Sequence, residues 1–453
     1  MSAKIEEANE CNGEKALART KRKPEAEASE NVSSAKRREK AEQDGTSTGS
    51  SLPKTPTTIF SLNTYCWNTI LSYLCLSDQL RLAASNRYIK THCESLRYTY
   101  RHVNESVTNT LDKDELHHLL ELINENVISY ESSLDSQSDG GEHLWLLRTY
   151  CPNLRHLKMN FRRPRGHDLK QLKSLTSLHA RLYFRDPIQC KEFALSLMEL
   201  PQLKKLTLGW THNGSWLHVL EDLEYLDISN CPAFDDECLA LCFLKMKKLG
   251  TLITYYTSDH FGNIVKNCRS LERLVFRTSN EPSDVICQLP RLKHLEMWKR
   301  DCPKPSFIEG LIQRTGTPLE TLILAGHDLR SEQLNHVCEI SALRELGVEC
   351  ETVPLRCLSR LKNLEILHLT MQKITNQDLL ALLEDCPLLT ILNVQWCSLV
   401  TKDFVLDAIR LYSHRKIKIY LYSSSVKWEE IPLHPRDKKL IKITGEYLKG
   451  FYL

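Results

Sequence analysis

NLEILHLTMQKITNQDLLALLEDCPLLTILNV, residues 363–394, changes its apolar period twice. Leu364, Leu367 and Leu369 follow a leucine, two residues, leucine, one residue, apolar pattern, which is the alternation of a short strand with one face turned inward. Thr375 and Asp378 then stand at capping-box spacing, and Leu379, Leu380, Leu382 and Leu383 give a helix one apolar side. Pro387 stops that helix, and the strand pattern resumes at Leu389, Leu392 and Val394.

Outward from this unit the pattern recurs at Leu154, Leu175, Leu203, Leu223, Leu249, Leu271, Leu292, Leu319 and Leu343, counted by the first leucine of each copy. With Leu364 and Leu389 that makes eleven copies whose ten intervals span 235 residues, 23.5 on average. The period falls within the roughly 20–29 residues of leucine-rich repeats. Such a unit cannot bury its apolar face alone, so neighbouring copies must stack. The expected fold is α/β: a solenoid over residues 151–421 with about eleven repeats, parallel strands on the concave face and helices outside.

Three copies begin with a cysteine before the strand (Cys151, Cys268, Cys386), and Cys231 and Cys397 follow the strands of two others. This resembles the cysteine-containing repeat subfamily, and a buried thiol packs as a small apolar group. Cys238 and Cys242, one helical turn apart, lack a third ligand at metal spacing and read as core, so no metal is expected. His117 and His118 are adjacent in a probable helix, diverge by a hundred degrees or so, and read as surface residues.

Residues 99–150 are expected to link to the solenoid and cap its first repeat. Ile417, Ile419 and Leu421 supply a last strand, with 422–453 as a cap or tail.

Residues 1–58 contain no aromatic residue and few large aliphatics, a composition that cannot offset its own ordering entropy, and are expected to be disordered. Two clusters inside them, Lys21-Arg22-Lys23 and Lys36-Arg37-Arg38, resemble a bipartite nuclear import signal; a solvated, charge-balanced tail is the other reading.

Between tail and solenoid, residues 59–98 carry Trp67, Ile70, Leu71 and Leu74 at helical spacing. Ser77 is placed to cap a second helix bearing Leu80, Leu82 and Ala83. Leu62-Asn63, Ile70, Tyr73-Leu74, Leu76-Ser77-Asp78-Gln79-Leu80, Leu82 and Tyr88 resemble the F-box, with Asn63 where that family usually has proline. The resemblance implies a non-catalytic F-box/leucine-rich-repeat protein, the substrate receptor of an SCF-type cullin-RING ubiquitin ligase, acting in the nucleus and/or cytoplasm.

It implies that a Skp adaptor, and through it a cullin, binds at Leu62, Asn63, Ile70, Leu74, Leu80 and Leu82. The repeats would bind a protein substrate for ubiquitination and proteasomal degradation. The other reading is a nuclear repeat scaffold whose hairpin only caps the solenoid.

Strand residues beside the inward leucines face the concave side, and Lys158, Lys205, Trp210, Tyr225, Arg273, Arg277 and Trp298 are the substrate-contact candidates. The tryptophans serve either as anchors or as loop shields. Glu345 and Glu349 lie later, so the face is expected to grade from basic to acidic.

Composition excludes little else: 453 residues, net charge +3, 42% hydrophobic and 26% charged. That balance gives no general pull on nucleic acid. No run of eighteen apolar residues and no leader-like start occurs, so neither secretion nor membrane insertion is expected. Seventeen scattered cysteines without a two-residue spacing suit a reducing compartment. Phosphate-cradling Gly-Lys-Ser/Thr, His-Glu-x-x-His and Gly-x-Ser-x-Gly signatures are missing, so no enzyme activity and no cofactor are expected.

Overall fold

The structure is a computed structural model and describes residues 58–133, 141–184, 186–209, 214, 216–231, 234, 236–254, 261–277, 284–298, 303–350, 355–370, 373–394, 397–412, 415, 417–420 and 441–444. Residues up to Ser61 form one unit, of which a short 3-10 turn, Ile59–Ser61, is described. Residues from Leu62 onward form the second. The import clusters and most of the 1–58 and 422–453 segments lie outside the described residues.

The second unit is built on one parallel sheet. Its strands are β1 (His102–Val103), β2 (Ser129–Ser132), β3 (His156–Phe161), β4 (Ser177–Leu182), β5 (Lys205–Gly209), β6 (Tyr225–Asn230), β7 (Thr251–Thr254) and β8 (Arg273–Arg277). They continue as β9 (His294–Trp298), β10 (Thr321–Leu329), β11 (Glu345–Cys350), β12 (Ile366–Thr370), β13 (Ile391–Asn393), β14 (Ile417–Tyr420) and β15 (Ile441–Thr444).

Each strand pairs with the next in sequence, so fifteen strands lie in chain order. That order is what a solenoid requires, since every repeat contacts only its neighbours. The eleven copies read from the sequence correspond one to one with β3–β13. Segment 99–150, expected to link and cap, itself supplies β1 and β2, and the sheet runs past the last copy into β14 and β15.

Register explains the leucines. The second position of each strand from β1 to β13 forms an unbroken buried row, from Val103 through Leu206, Leu295 and Leu367 to Leu392, which is in register with the buried Ile419 of β14. Parallel pairing puts equivalent residues in line, so a leucine every repeat becomes one continuous core. Between the strands, helices such as Pro187–Met198 and Asn376–Asp385 stack outside the sheet. The Thr375–Asp378 capping box forms as the spacing predicts; Leu379, Leu382 and Leu383 are buried and Leu380 is half-buried.

Cysteines fill the turns. Cys151, Cys268 and Cys386 are buried, as are Cys231 and Cys397. The last two each donate to a carbonyl of an earlier repeat, Leu208 at 3.2 Å and Leu369 at 3.6 Å. Burial pushes the Cys151 and Cys268 thiols up to about 12. Among the described residues, no helix is long and apolar enough to cross a membrane.

Candidate functional site

Two surfaces of the second unit are shaped for contact: the helical hairpin at its start and the strand face of the solenoid.

In the hairpin, α1 (Thr64–Ser72) is capped by Asn63, whose side chain accepts from the Cys66 amide at 2.9 Å. Asn63 thus starts the helix by a side-chain bond. Next, α2 (Leu76–Ser85) is capped by Cys75, and α3 (Arg87–His92) by Asn86.

The expectation that Ser77 caps α2 is corrected here. Ser77 lies inside the helix, and its hydroxyl donates to Glu115 on the helix Lys113–Ile123. Arg81 pairs with the same carboxylate at 2.8 Å. Cys75 holds the capping position before the helix, and the Ser77 hydroxyl donates instead to a partner far away in the sequence, of which the local residues give no sign.

Trp67 is fully buried and stacks on His92 with ring centroids 5.4 Å apart. Leu71 and Leu80 join it inside. Leu80, a candidate adaptor contact, is therefore a core residue of this chain, 1% exposed. Leu62, Leu74 and Leu82 are half-buried against that core, Ile70 is half-buried and Asn63 is exposed.

Tyr65 and Tyr73 are the aromatic side chains that α1 and its cap leave in solvent, 78% and 85% exposed. They stand two helical turns apart on the side opposite Trp67 and Leu71, with Thr69 between them. Sequence reading named Tyr73 only within the F-box resemblance and missed Tyr65, because periodicity marks the buried stripe and is silent about what the other side presents.

On the strand face, register lines up Lys205, Tyr225, Thr251, Arg273, His294, Thr321 and Glu345 in one row, while Lys158, His179, Asp227, Glu296 and His368 occupy the parallel row two positions on. Every described substrate-contact candidate lies on this face, and several of them, Lys158 and Arg273 first, are members of internal pairs. Lys158 pairs with Glu105 at 2.8 Å and reaches Glu131 at 3.7 Å. Lys205 is exposed and Tyr225 half-buried. Trp210 lies outside the described residues.

Arg273, Arg277 and Trp298 gather around Glu296. Arg273 approaches its carboxylate at 3.6 Å, the Trp298 indole donates to it at 2.8 Å, and the Arg277 guanidinium sits 5.6 Å from the Trp298 ring centre. Glu296 is itself 7% exposed, a charge tolerated there because these donors surround it.

A second polar run, not singled out by sequence, follows it: Thr321 donates to Glu345 at 3.2 Å, Glu345 pairs with His368 at 3.4 Å, and Asn393 meets His368 at 3.2 Å. Burial lowers the His368 pKa, while the His368 hydrogen bond and charge hold Glu345 down against its own burial. On the basic side of the expected grade, Lys158 and Arg273 already face carboxylates of neighbouring repeats. Among the described residues no group of three His, Cys, Asp or Glu side chains is placed to hold a metal ion.

No family model and no curated protein matches the sequence. Similar solved structures include the yeast Rad7 and Elc1 complex, at 16% identity over 86% of this chain and 99% of that chain, with a TM-score of 0.49. Others are a leucine-rich-repeat protein of Leptospira interrogans (18%, 75% and 83%, 0.40) and an internalin from Listeria monocytogenes (16%, 61% and 82%, 0.40). These are likenesses of fold, and by its own strand order and register the chain is a leucine-rich-repeat solenoid headed by a helical hairpin.

Proposed function

We propose that this chain is a substrate receptor of a cullin-type ubiquitin ligase: its hairpin docks a Skp-type adaptor, and its strand face holds a protein for ubiquitination. The carrying observation is the outward Tyr65–Tyr73 pair on a helix whose other side is already locked into the chain's own core. Large exposed aromatics on a rigid support are the residues that most often anchor an interface. A helix needed only as a cap has no use for two tyrosines in water.

In this reading Leu62, Ile70, Leu74 and Leu82 border the tyrosines, and Leu80 acts from beneath by fixing α2. The receptor contributes proximity, holding substrate lysines near a recruited conjugating enzyme, and no bond-making chemistry of its own. It works in the nucleus and/or cytoplasm, with Lys21-Arg22-Lys23 and Lys36-Arg37-Arg38 as its import signal.

The scaffold reading has one observation in its favour: Ser77 and Arg81 bind Glu115, so the hairpin does cover the start of the solenoid. A pull-down separates the two. Tyr65→Ala with Tyr73→Ala, and separately Leu74→Asp, should abolish recovery of adaptor and cullin while the melting profile of the tyrosine variant stays that of the parent. Recovery undiminished in both variants rejects the receptor reading.

A further inference from the structure

Residues 143–185 hold ten Lys and Arg against one acidic residue, Asp168, a formal +9 within a chain whose total is +3. The rest of the chain is therefore −6, and the basic charge is local. Its described members are distributed unevenly around the first repeats. Arg148 is taken by Asp168 at 3.2 Å on the helix side, and Lys170 and Lys173 by Glu199 at 3.5 and 3.8 Å. On the strand side Lys158 is taken by Glu105 and Glu131.

Arg163 and Arg181 are different. Arg181 is paired in register with Asn160 on β3 and Gly209 on β5, and is exposed; Arg163 follows β3 by two residues and is exposed too. Among the described residues neither has a carboxylate at ion-pairing distance. At the same strand ends the Arg162 guanidinium lies over the ring of the exposed Tyr183, 6.0 Å from its centre.

Gly209 leaves room for the Arg181 stem, since a Cβ there would stand 3.3 Å from Arg181 Cγ. The field of this corner is felt by its neighbours: His179 has a lowered pKa from burial first and then from Lys158 and Arg181.

We infer that the C-terminal end of β3 and β4, with Arg163 and Arg181 as its forks and the exposed Tyr183 close by in the chain, is a docking site for a polypeptide segment carrying clustered anionic groups. This deepens the receptor reading, on which it rests, by naming the class of substrate. Guanidinium forks bind phosphate or carboxylate oxygens in pairs, which suits a compact anion. Two adjacent strands span only about 5 Å and their loops somewhat more. That width holds one or two anionic groups, whereas nucleic acid affinity is built from many phosphate contacts along a basic stripe. Glu105, Glu131 and Asp227 border the patch and close it to a longer polyanion.

Fluorescence anisotropy with the full chain tests this. The probes are a labelled Gly/Ser peptide bearing two neighbouring phosphoserines, the same peptide with glutamates there, the unmodified peptide, and a single-stranded oligonucleotide. An anionic peptide should bind more weakly as salt rises. Arg163→Ala and Arg181→Ala should each weaken it by roughly tenfold, and Lys173→Ala should not. Preference for the phosphopeptide assigns phosphate as the ligand group, and equal binding assigns clustered carboxylates.

The inference is overturned if neither anionic peptide binds, if binding survives both arginine substitutions, or if the oligonucleotide binds more tightly than the peptides. Arg163 is exposed in a loop, so its variant keeps the test valid should Arg181→Ala fail to fold. Adaptor recovery from the same preparations tells the two readings apart: lost anion binding with intact adaptor recovery rejects the docking site alone.

Discussion

Arg81 of the hairpin and Glu115 of the first solenoid helix stand 2.8 Å apart, with the Ser77 hydroxyl donating to the same carboxylate. The hairpin is thereby held against the repeats at a charged point as well as through its apolar side. The Glu115 carboxyl lies below the usual carboxylate range because Ser77, the Asp112 amide and Arg81 all favour its ionised form. A depressed folded pKa gives stability that is complete above the unfolded value of about 4.3 and is lost as pH falls through the folded one. Amide exchange in 76–85, taken relative to the intrinsic rate at each pH, should therefore quicken below about pH 4 in the parent protein. In Glu115→Gln it should be quick at neutral pH already. Identical exchange in both proteins across that range contradicts the clamp.

Trp67 holds the inside of the hairpin itself, packed against Tyr88 and His92 of α3. Truncation to alanine should cost about 3–5 kcal/mol, as for other large buried rings, since the stack on His92 and the contacts beneath it vanish together. In a solenoid the damage stays near its origin. Exchange protection should fall over α1–α3 and hold at β8–β12; uniform loss along the sheet is the contrary result.

The thiols provide a test of the turns. Cys151, Cys242 and Cys268 are pushed up to about 12 by burial, so each stays protonated from pH 7 to 9 and makes a poor nucleophile. Cys75, exposed at the cap of α2, meets reagent directly. Native alkylation at pH 8 followed by peptide mass spectrometry should label Cys75 well before Cys268. Equal rates mean that the turns open far more readily than their packing implies.

Much of this fold was legible in the leucines. A residue type that returns every 23.5 positions on average can be buried throughout only if equivalent positions stack, and β3–β13 follow those copies one for one. β1 and β2 escaped notice because their inward residues are Val103 and Tyr130, which fit the same buried row without repeating its leucine. The strand face was legible as a list of side chains but not as a charge pattern. Arg273 looks available until Glu296, from the next repeat, is seen beside it. Pairing between repeats depends on register, and two side chains some twenty residues apart give no local sign of it. Ser77 failed as a cap for the same reason.

Arg415 illustrates how such long-range pairing can be tested at the far end. Its guanidinium donates to the carbonyls of Leu383 at 2.5 Å, Cys386 at 2.8 Å and Leu389 at 3.1 Å, tying down the turn that delivers Leu389 to the core. Arg314 does the same four repeats earlier, reaching Leu289 and Leu292 at 2.8 and 3.1 Å. Removing the donors takes a partner from each of these carbonyls, of which Cys386 keeps the Leu389 amide, at a cost of about 1–2 kcal/mol for a partly solvated group. A lysine keeps the charge but places a single ammonium where three acceptors diverge, so it cannot bridge them. Arg415→Lys and Arg415→Ala should therefore destabilise the last repeats to a similar extent in urea titrations, with exchange rising at 389–393. If Arg415→Lys matches the parent in urea, charge near the turn is what matters there and the fork geometry is not.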